Sequence, residues 1–186
     1  VVIGEKDPRT QAVFEEVAQH QGAPLSFAEQ QNSPFFSDLT GSYQKKNIRT
    51  VVAALEQLHL GLEDEIVQKG LLNVKEATQL MGRWQKIRTT PEVILDVAHN
   101  KEGLTLVAKQ IKTLTYGKLH LVMGFVQGRE VQDLLSLFPS SATFYLSSPN
   151  LERALPLTQL KEELAHSPLH IQYFQQVALA YLAAIE

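Results

Sequence analysis

The chain has 186 residues, which is enough for one large domain or two small ones. Its 17 basic and 20 acidic residues give a formal net charge of -3, so nothing in the balance indicates a nucleic-acid-binding surface. Cysteine is absent, which excludes disulfides and thiolate metal sites and is compatible with a cytoplasmic location. No apolar run reaches the ~18 residues of a membrane span, so no membrane partner is expected.

Both ends of the chain resemble interior segments of a protein. The chain begins with the strand-like VVIGE and finishes in the apolar helical segment VALAYLAAIE, which carries no stop signal. We therefore expect the chain to be a fragment of a longer protein.

The first 79 residues predict short strands and helices in alternation. The clearest helix is predicted for residues 44–58, where apolar residues recur at i, i+3, i+4, i+7 and i+10. A second helix is predicted over residues 8–20, with Asp7 as a possible cap and Pro8 in its first turn. The remaining predicted elements are strands at 1–5 and 24–29 and helices at 63–69 and 74–81, the last two separated near Gly70.

The pattern changes near residues 78–82. A strand-like GRWQKI is followed by four strand–helix alternations, whose strands are VILD, LHLVMGF, ATFYLS and LHIQYF. Helices are expected to start near residues 101, 129, 156 and 175. Such an alternation predicts an α/β domain with a mostly parallel sheet and helices on both faces.

The stretch VILDVAHNKEG, residues 93–103, is the first candidate for a site. Asp96 is expected to end its strand, and ligands of open α/β sheets bind beyond the carboxyl ends of strands. A carboxylate there can accept two hydrogen bonds from a ribose diol. Asn100 or Lys101 would open the next helix, whose free N–H groups suit phosphate. The competing interpretation is that Asp96 is only a turn or cap residue.

Self-sufficient motifs for nucleotide binding or nucleophilic catalysis are missing. The sequence contains no G-x-x-x-x-G-K-[ST], no G-x-G-x-x-G and no G-x-S-x-G, and its histidines and carboxylates lack metal-ligand spacing. Any nucleotide would therefore be held mainly by another part of the protein.

Three stretches in order, GSYQKKNIRTVVAAL, MGRWQ and VILDVAHNKEG, resemble the folylpolyglutamate synthases (with dihydrofolate synthase) of the Mur ligase superfamily. The later FYLSSPNLERAL also looks like a segment of that family. The resemblance implies that residues 1–79 are the last part of a P-loop-type α/β ATPase domain. Residues 80–186 would then be the Rossmann-like C-terminal domain, with its end expected to be truncated because the family usually continues into another strand.

The resemblance also implies a reaction, which is ATP-dependent addition of glutamate to folate or dihydropteroate through an acyl phosphate. The implied small molecules are ATP, Mg²⁺, L-glutamate and the folate substrate, with the metal ligands outside this chain. A cytoplasmic monomer without nucleic acid is expected, and this fragment by itself is expected to be inactive.

Individual roles carry over from the family motifs. Asn47 matches the asparagine that contacts the adenine base, and Arg83 the arginine that reaches the ATP phosphates. Asp96 matches the aspartate that contacts the nucleotide, and His99 a catalytic position near the nucleotide or the incoming glutamate. Where the family usually has proline after its D-x-A-H-N motif, this chain has Lys101.

Three other functions stay open. A Mur-type cell-wall peptide ligase would use the same chemistry, although the Tyr-Gln-x-x-Asn helix start and the Gly-Arg-Trp-Gln stretch argue against it. A non-catalytic binding or oligomerisation module is the alternative of a different class. A stand-alone dinucleotide-binding domain is weaker, because the glycine fingerprint is absent.

Overall fold

The computed structural model describes residues 1–186 and divides into two compact units, Val1–Val97 (unit 1) and Ala98–Glu186 (unit 2). A domain boundary between residues 79 and 80 stays a prediction.

Unit 1 consists of small elements around a thin core. Two short parallel strands, β1 (Val2–Ile3) and β2 (Ser26–Phe27), pair beside helix α2 (Gln44–Gln57). Ile48 of the predicted apolar stripe and its neighbour Ala53 are buried in α2, whereas Val51 and Leu58 of the same stripe are exposed. The other elements are α1 (Gln11–His20), a short 3₁₀ helix (Ala28–Gln30), α3 (Asp64–Leu71), α4 (Val74–Thr78), β3 (Gln85–Thr89) and β4 (Glu92–Leu95).

Strand β4 contains most of the VILD stretch, but it does not join a parallel sheet. It pairs antiparallel with β3, and only Thr90 and Pro91 separate the two strands. A two-residue connection can form only a hairpin, because parallel strands need a long crossover. The prediction that VILD is the first strand of the parallel sheet was therefore wrong, and Asp96 follows a hairpin strand instead.

The GRWQKI stretch also differs from its prediction as a continuous strand. Gly82 and Trp84 have positive φ angles of 70° and 53°, so the chain turns tightly through residues 82–84 before β3 begins at Gln85. A β-strand requires negative φ throughout, and the turn therefore excludes these three residues from the strand.

Unit 2 has the predicted α/β architecture. Its three strands, β5 (His120–Gly124), β6 (Thr143–Ser147) and β7 (His170–Phe174), form a parallel sheet in the order β5-β6-β7. Helix α8 (Val177–Ile185) packs against all three strands and α7 (Leu157–Glu163) against β7. The remaining helices are α5 (Lys101–Ile111) and α6 (Val131–Leu135). These helix starts confirm the predicted alternation after residue 100.

The core of unit 2 forms around the central strand. Phe144 and Leu146 of β6 are fully buried, as expected for a parallel strand with neighbours on both sides. Leu135 of α6 and Leu160 of α7 are also fully buried, so these helices close the core. None of the helices in the chain combines the length and apolar character that a bilayer crossing requires.

Leu160→Ala should destabilise unit 2 by about 2–5 kcal/mol, because it removes a fully buried side chain and leaves a cavity. Leu151→Ala is the matched control, since Leu151 is 57% exposed in the same unit and its loss should cost less than about 0.5 kcal/mol. Urea unfolding followed by far-UV circular dichroism measures both. Equal losses for the two variants would contradict this assignment of the core.

Candidate functional site

The carboxylate of Asp96 connects two distant segments of unit 1. Its Oδ2 accepts a hydrogen bond from the Tyr43 hydroxyl at 2.8 Å and another from the Trp84 backbone N–H at 2.9 Å. Tyr43 is the N-cap residue of α2, directly before its first residue Gln44, and Trp84 lies in the tight turn before β3. One oxygen atom thus fixes the start of α2 relative to the turn.

Arg83 lies at the centre of this turn, between Gly82 and Trp84, both with left-handed backbone conformations. Such a conformation is unfavourable for a bulky residue such as Trp84 and costs about 1–3 kcal/mol. The surrounding structure holds it: the Trp84 N–H donates to Asp96 and the Trp84 carbonyl accepts from Thr40 Oγ1 at 3.1 Å. The Trp84 side chain is buried, and Arg83 is half-buried beside it.

Gly82 is needed for close packing as well as for its φ angle. A Cβ atom at this position would lie 2.3 Å from Val97 Cγ1. The backbone N–H of Val97 donates to the Gly82 carbonyl at 2.9 Å, and this bond holds the two backbone segments close together. The Gly82 N–H donates to Gln85 Oε1 at 2.9 Å, which closes the turn from its other side.

Asn47, the residue predicted to contact the adenine base, lies in the first turn of α2. Asn47 is exposed, and its side-chain Nδ2 donates to Gln44 Oε1 at 2.9 Å. Gln44 is one of only two buried polar residues of the chain. Its burial favours a structural role for Gln44, which orients the Asn47 side chain through this hydrogen bond. The amide of Asn47 is exposed and can both donate and accept hydrogen bonds.

The environment of Tyr43 favours its protonated form. Burial raises the pKa of the Tyr43 phenol well above its ordinary value, and the hydrogen bond to the Asp96 carboxylate raises it further. The positive charge of Arg83 and a hydrogen bond with Gln44 act in the opposite direction but are weaker. The Tyr43 hydroxyl is therefore a hydrogen-bond donor at neutral pH. The Arg83 charge lies close enough to Tyr43 to lower the pKa of its phenol slightly.

His99 belongs to unit 2 and lies at the edge of a small cavity of that unit. It is exposed and, with Leu104, Met123 and Arg129 among others, lines a small cavity of about 70 Å³. Asn100 caps α5, because its side chain accepts from the Gly103 N–H at 2.9 Å. The expectation that Asn100 or Lys101 opens the next helix is thereby confirmed.

Two further features do not involve the predicted residues. A larger open groove of about 710 Å³ lies along α3 and is lined by Phe35, Gln68 and Leu72 among others. It is mostly apolar in lining and none of the predicted site residues borders it, so we give more weight to the polar geometry around Asp96. The chain contains no cluster of three or more side chains suited to hold a metal ion.

The structure thus brings Tyr43, Arg83 and Asp96 together in unit 1 and places Asn47 one helical turn after Tyr43. Sequence reasoning missed Tyr43 and Thr40 as partners of this arrangement. The sequence did carry a signal for Tyr43, since it lies inside the GSYQKKN stretch. Nothing local marks Thr40, whose partner Trp84 is 44 residues away.

Comparisons with known proteins agree on one family. The sequence model described as Mur ligase, glutamate ligase domain, matches residues 82–186. The dihydrofolate synthase/folylpolyglutamate synthase of Escherichia coli strain K12 is 26% identical over 202 aligned positions, which cover 99% of this chain and 45% of that protein.

Solved structures with the same fold include two nucleotide complexes. The Mycobacterium tuberculosis folylpolyglutamate synthase complexed with ADP and AMPPCP superposes with a TM-score of 0.84 at 17% identity, covering 98% of this chain and 47% of that one. A bifunctional folylpolyglutamate synthase/dihydrofolate synthase with Mn, AMPPNP and L-glutamate bound gives a TM-score of 0.78 at 24% identity, with coverages of 99% and 46%. This chain therefore spans less than half the length of these relatives.

Gly82→Ala should destabilise unit 1 more than Gly22→Ala. Both glycines have positive φ, so each alanine pays about 1 kcal/mol for its conformation, but only the Gly82 variant also meets the Val97 side chain. That overpacking should add roughly 1–3 kcal/mol, and Gly82→Ala with Val97→Ala should recover part of it.

Urea unfolding followed by Trp84 fluorescence measures these three variants, since Trp84 is the only tryptophan of the chain. Equal destabilisation by the two single glycine variants would show that the turn does not depend on this close approach.

Proposed function

Because the chain belongs to the Mur ligase family, through its glutamate ligase domain, we propose that it is part of an ATP-dependent ligase that adds glutamate to folate or dihydropteroate. The observation that carries the proposal is that the Asp96 carboxylate joins the start of α2 to the turn that contains Arg83, because the resemblance assigns residues of these three segments to the nucleotide. The names of the relatives favour a folate substrate over a cell-wall peptide.

The proposed reaction proceeds in two steps. The γ-phosphoryl group of ATP passes to the carboxylate of the pterin substrate, which gives an acyl phosphate and ADP. The amine of glutamate then attacks the acyl carbon, and the tetrahedral intermediate expels inorganic phosphate as the amide forms. Phosphoryl transfer of this kind depends mainly on positioning and on positive charge around the phosphate oxygens.

Arg83 is the residue of this chain suited to that task. Its guanidinium matches two phosphate oxygens at once, and its backbone is fixed by the turn on both sides. We propose that the exposed Asn47 amide contacts the adenine base and that Asp96 contacts the ribose of the nucleotide. Oδ2 of Asp96 already accepts two internal bonds, so a ribose bond would add to the structural role that this carboxylate has in unit 1.

His99 is proposed as the catalytic residue near the nucleotide or the incoming glutamate. Its exposed ring shares a small cavity with Arg129, whose positive charge would suit a carboxylate or phosphate group. Both belong to unit 2, which is the part that the glutamate ligase domain match covers completely.

The cosubstrates follow from the proposed reaction. Relatives with bound AMPPNP, Mn and L-glutamate support ATP, a divalent metal such as Mg²⁺, and glutamate as the small molecules involved. This chain offers no metal-binding cluster, so no step proposed here passes through a metal that it holds. A monomeric state and a cytoplasmic location are part of the proposal.

The uncovered face of α1 supports the proposal that residues 1–79 are the last part of a larger ATPase domain. Val13 and Val17 of this helix are 58% and 55% exposed, and Phe14 lies beside them. Apolar side chains grouped on one helix face are normally covered by further protein. The ATPase domain would supply the P-loop that the sequence of this chain lacks.

Arg83→Ala in the full-length protein should lower kcat/KM for ATP by about a hundredfold or more, because it removes a charge aligned with the transferred phosphoryl group. Arg88→Ala is the matched control, since Arg88 is exposed on β3 and bonds only to the nearby Thr90 carbonyl. Phosphate release that depends on glutamate and the folate substrate is the measurement, with thermal unfolding to verify the fold.

Near-normal rates for Arg83→Ala would remove Arg83 from the site. Absence of glutamate-dependent turnover in the unaltered full-length protein would contradict the proposed function itself. The 186-residue chain provides the blank, because we expect it to show no turnover without a P-loop.

A further inference from the structure

Tyr43 has a defined place in the proposed site although no nucleotide role was predicted for it. Its hydroxyl donates to Asp96 Oδ2 at 2.8 Å, and the same oxygen accepts the Trp84 N–H at 2.9 Å. The carboxylate of Asp96 holds the Arg83 turn through the Trp84 N–H. The Tyr43 phenol, which precedes α2, is the second hydrogen-bond donor to that carboxylate.

The ring of Tyr43 is itself fixed. A Cβ atom at Gly41 would lie 2.8 Å from Cε1 and Cζ of the ring, so the ring rests directly against the Gly41 backbone. Its hydroxyl therefore meets the carboxylate from a defined direction. Because burial and the Asp96 hydrogen bond both keep the phenol protonated, it donates throughout the neutral range.

The Arg83 turn needs such support because its backbone conformation is unfavourable. Trp84 has a φ of 53° and is held by Asp96 at its N–H and by Thr40 at its carbonyl. A rotation of the Asp96 side chain would release the N–H and free the turn. The Tyr43 hydroxyl opposes that rotation, because the carboxylate would lose its second bond.

We propose that Tyr43 is a positioning residue for ATP, which acts through Asp96 and the Trp84 N–H to fix the orientation of Arg83. This proposal rests on the proposed function for the statement that Arg83 meets the ATP phosphates. The coupling of Tyr43, Asp96 and Trp84 stands on the structure of unit 1 by itself.

Tyr43→Phe tests the proposal cleanly, since it keeps the ring against Gly41 and removes only the hydroxyl. Tyr145→Phe is the matched control, because the Tyr145 hydroxyl bonds His120 Nδ1 at 2.8 Å within unit 2, whereas the Arg83 turn belongs to unit 1. In the full-length protein, Tyr43→Phe should raise the KM for ATP about tenfold, as expected for one lost bond to a charged group. The KM for glutamate should change less than about twofold, and so should both constants for Tyr145→Phe.

A double-mutant cycle shows whether Tyr43 acts through Asp96. In an Asp96→Ala background, Tyr43→Phe should have little further effect on the KM for ATP, because the connection is already lost. A full additional tenfold rise, an unchanged KM in the single variant, or an equal rise in the KM for glutamate would each overturn the proposal.

The fluorescence of Trp84 provides a second test of the proposal, which does not require ligase activity. The signal reports on the Arg83 turn specifically, because Trp84 is the only tryptophan of the 186-residue chain. Tyr43→Phe should increase the quenching of Trp84 by acrylamide, whereas Tyr145→Phe should leave it unchanged. Unchanged quenching in Tyr43→Phe would overturn the coupling. If the unaltered full-length protein showed no ligase activity, the proposed function would fail, and this arm would still decide the coupling.

Discussion

The pair of hydrogen bonds on Asp96 Oδ2 is the interaction on which the proposed site depends. A hydrogen bond to a charged group contributes about 1.5–3 kcal/mol, whereas the left-handed conformation of a bulky residue costs about 1–3 kcal/mol. The bond from the Trp84 N–H can therefore offset the strain of the turn, and the bond from Tyr43 adds to the margin. Without the carboxylate, the turn that carries Arg83 would relax.

This arrangement relates chemistry to backbone geometry. Gly82, directly before Arg83, has a positive φ and lies so close to Val97 that there is no room for a Cβ atom. Trp84, directly after Arg83, has its backbone N–H and carbonyl both held by hydrogen bonds. A guanidinium on such a support loses less freedom when it binds phosphate, because its backbone is already fixed. The carboxylate of Asp96 thus has a structural role, and the proposed nucleotide contact would be made by the same group.

Local sequence patterns predicted much of the fold but not this arrangement. The apolar period indicated a helix over residues 44–58, and α2 spans Gln44–Gln57. A helix opened by Asn100 or Lys101 was also expected, and α5 begins at Lys101 with Asn100 as its cap. GRWQKI looked like a strand because its residue types favour one, yet a bond from Trp84 to a residue 12 positions later imposes a turn. The pairing of Tyr43 with Asp96 spans 53 positions, and no periodicity reports such a contact.

The most direct test is a structure of the full-length protein with a non-hydrolysable ATP analogue. We predict that Arg83 nitrogen atoms lie about 3 Å from phosphate oxygens while Asp96 Oδ2 still accepts from the Tyr43 hydroxyl and the Trp84 N–H. A bound nucleotide whose phosphates are out of reach of Arg83, or an Asp96 carboxylate that has left the Trp84 N–H, would contradict it.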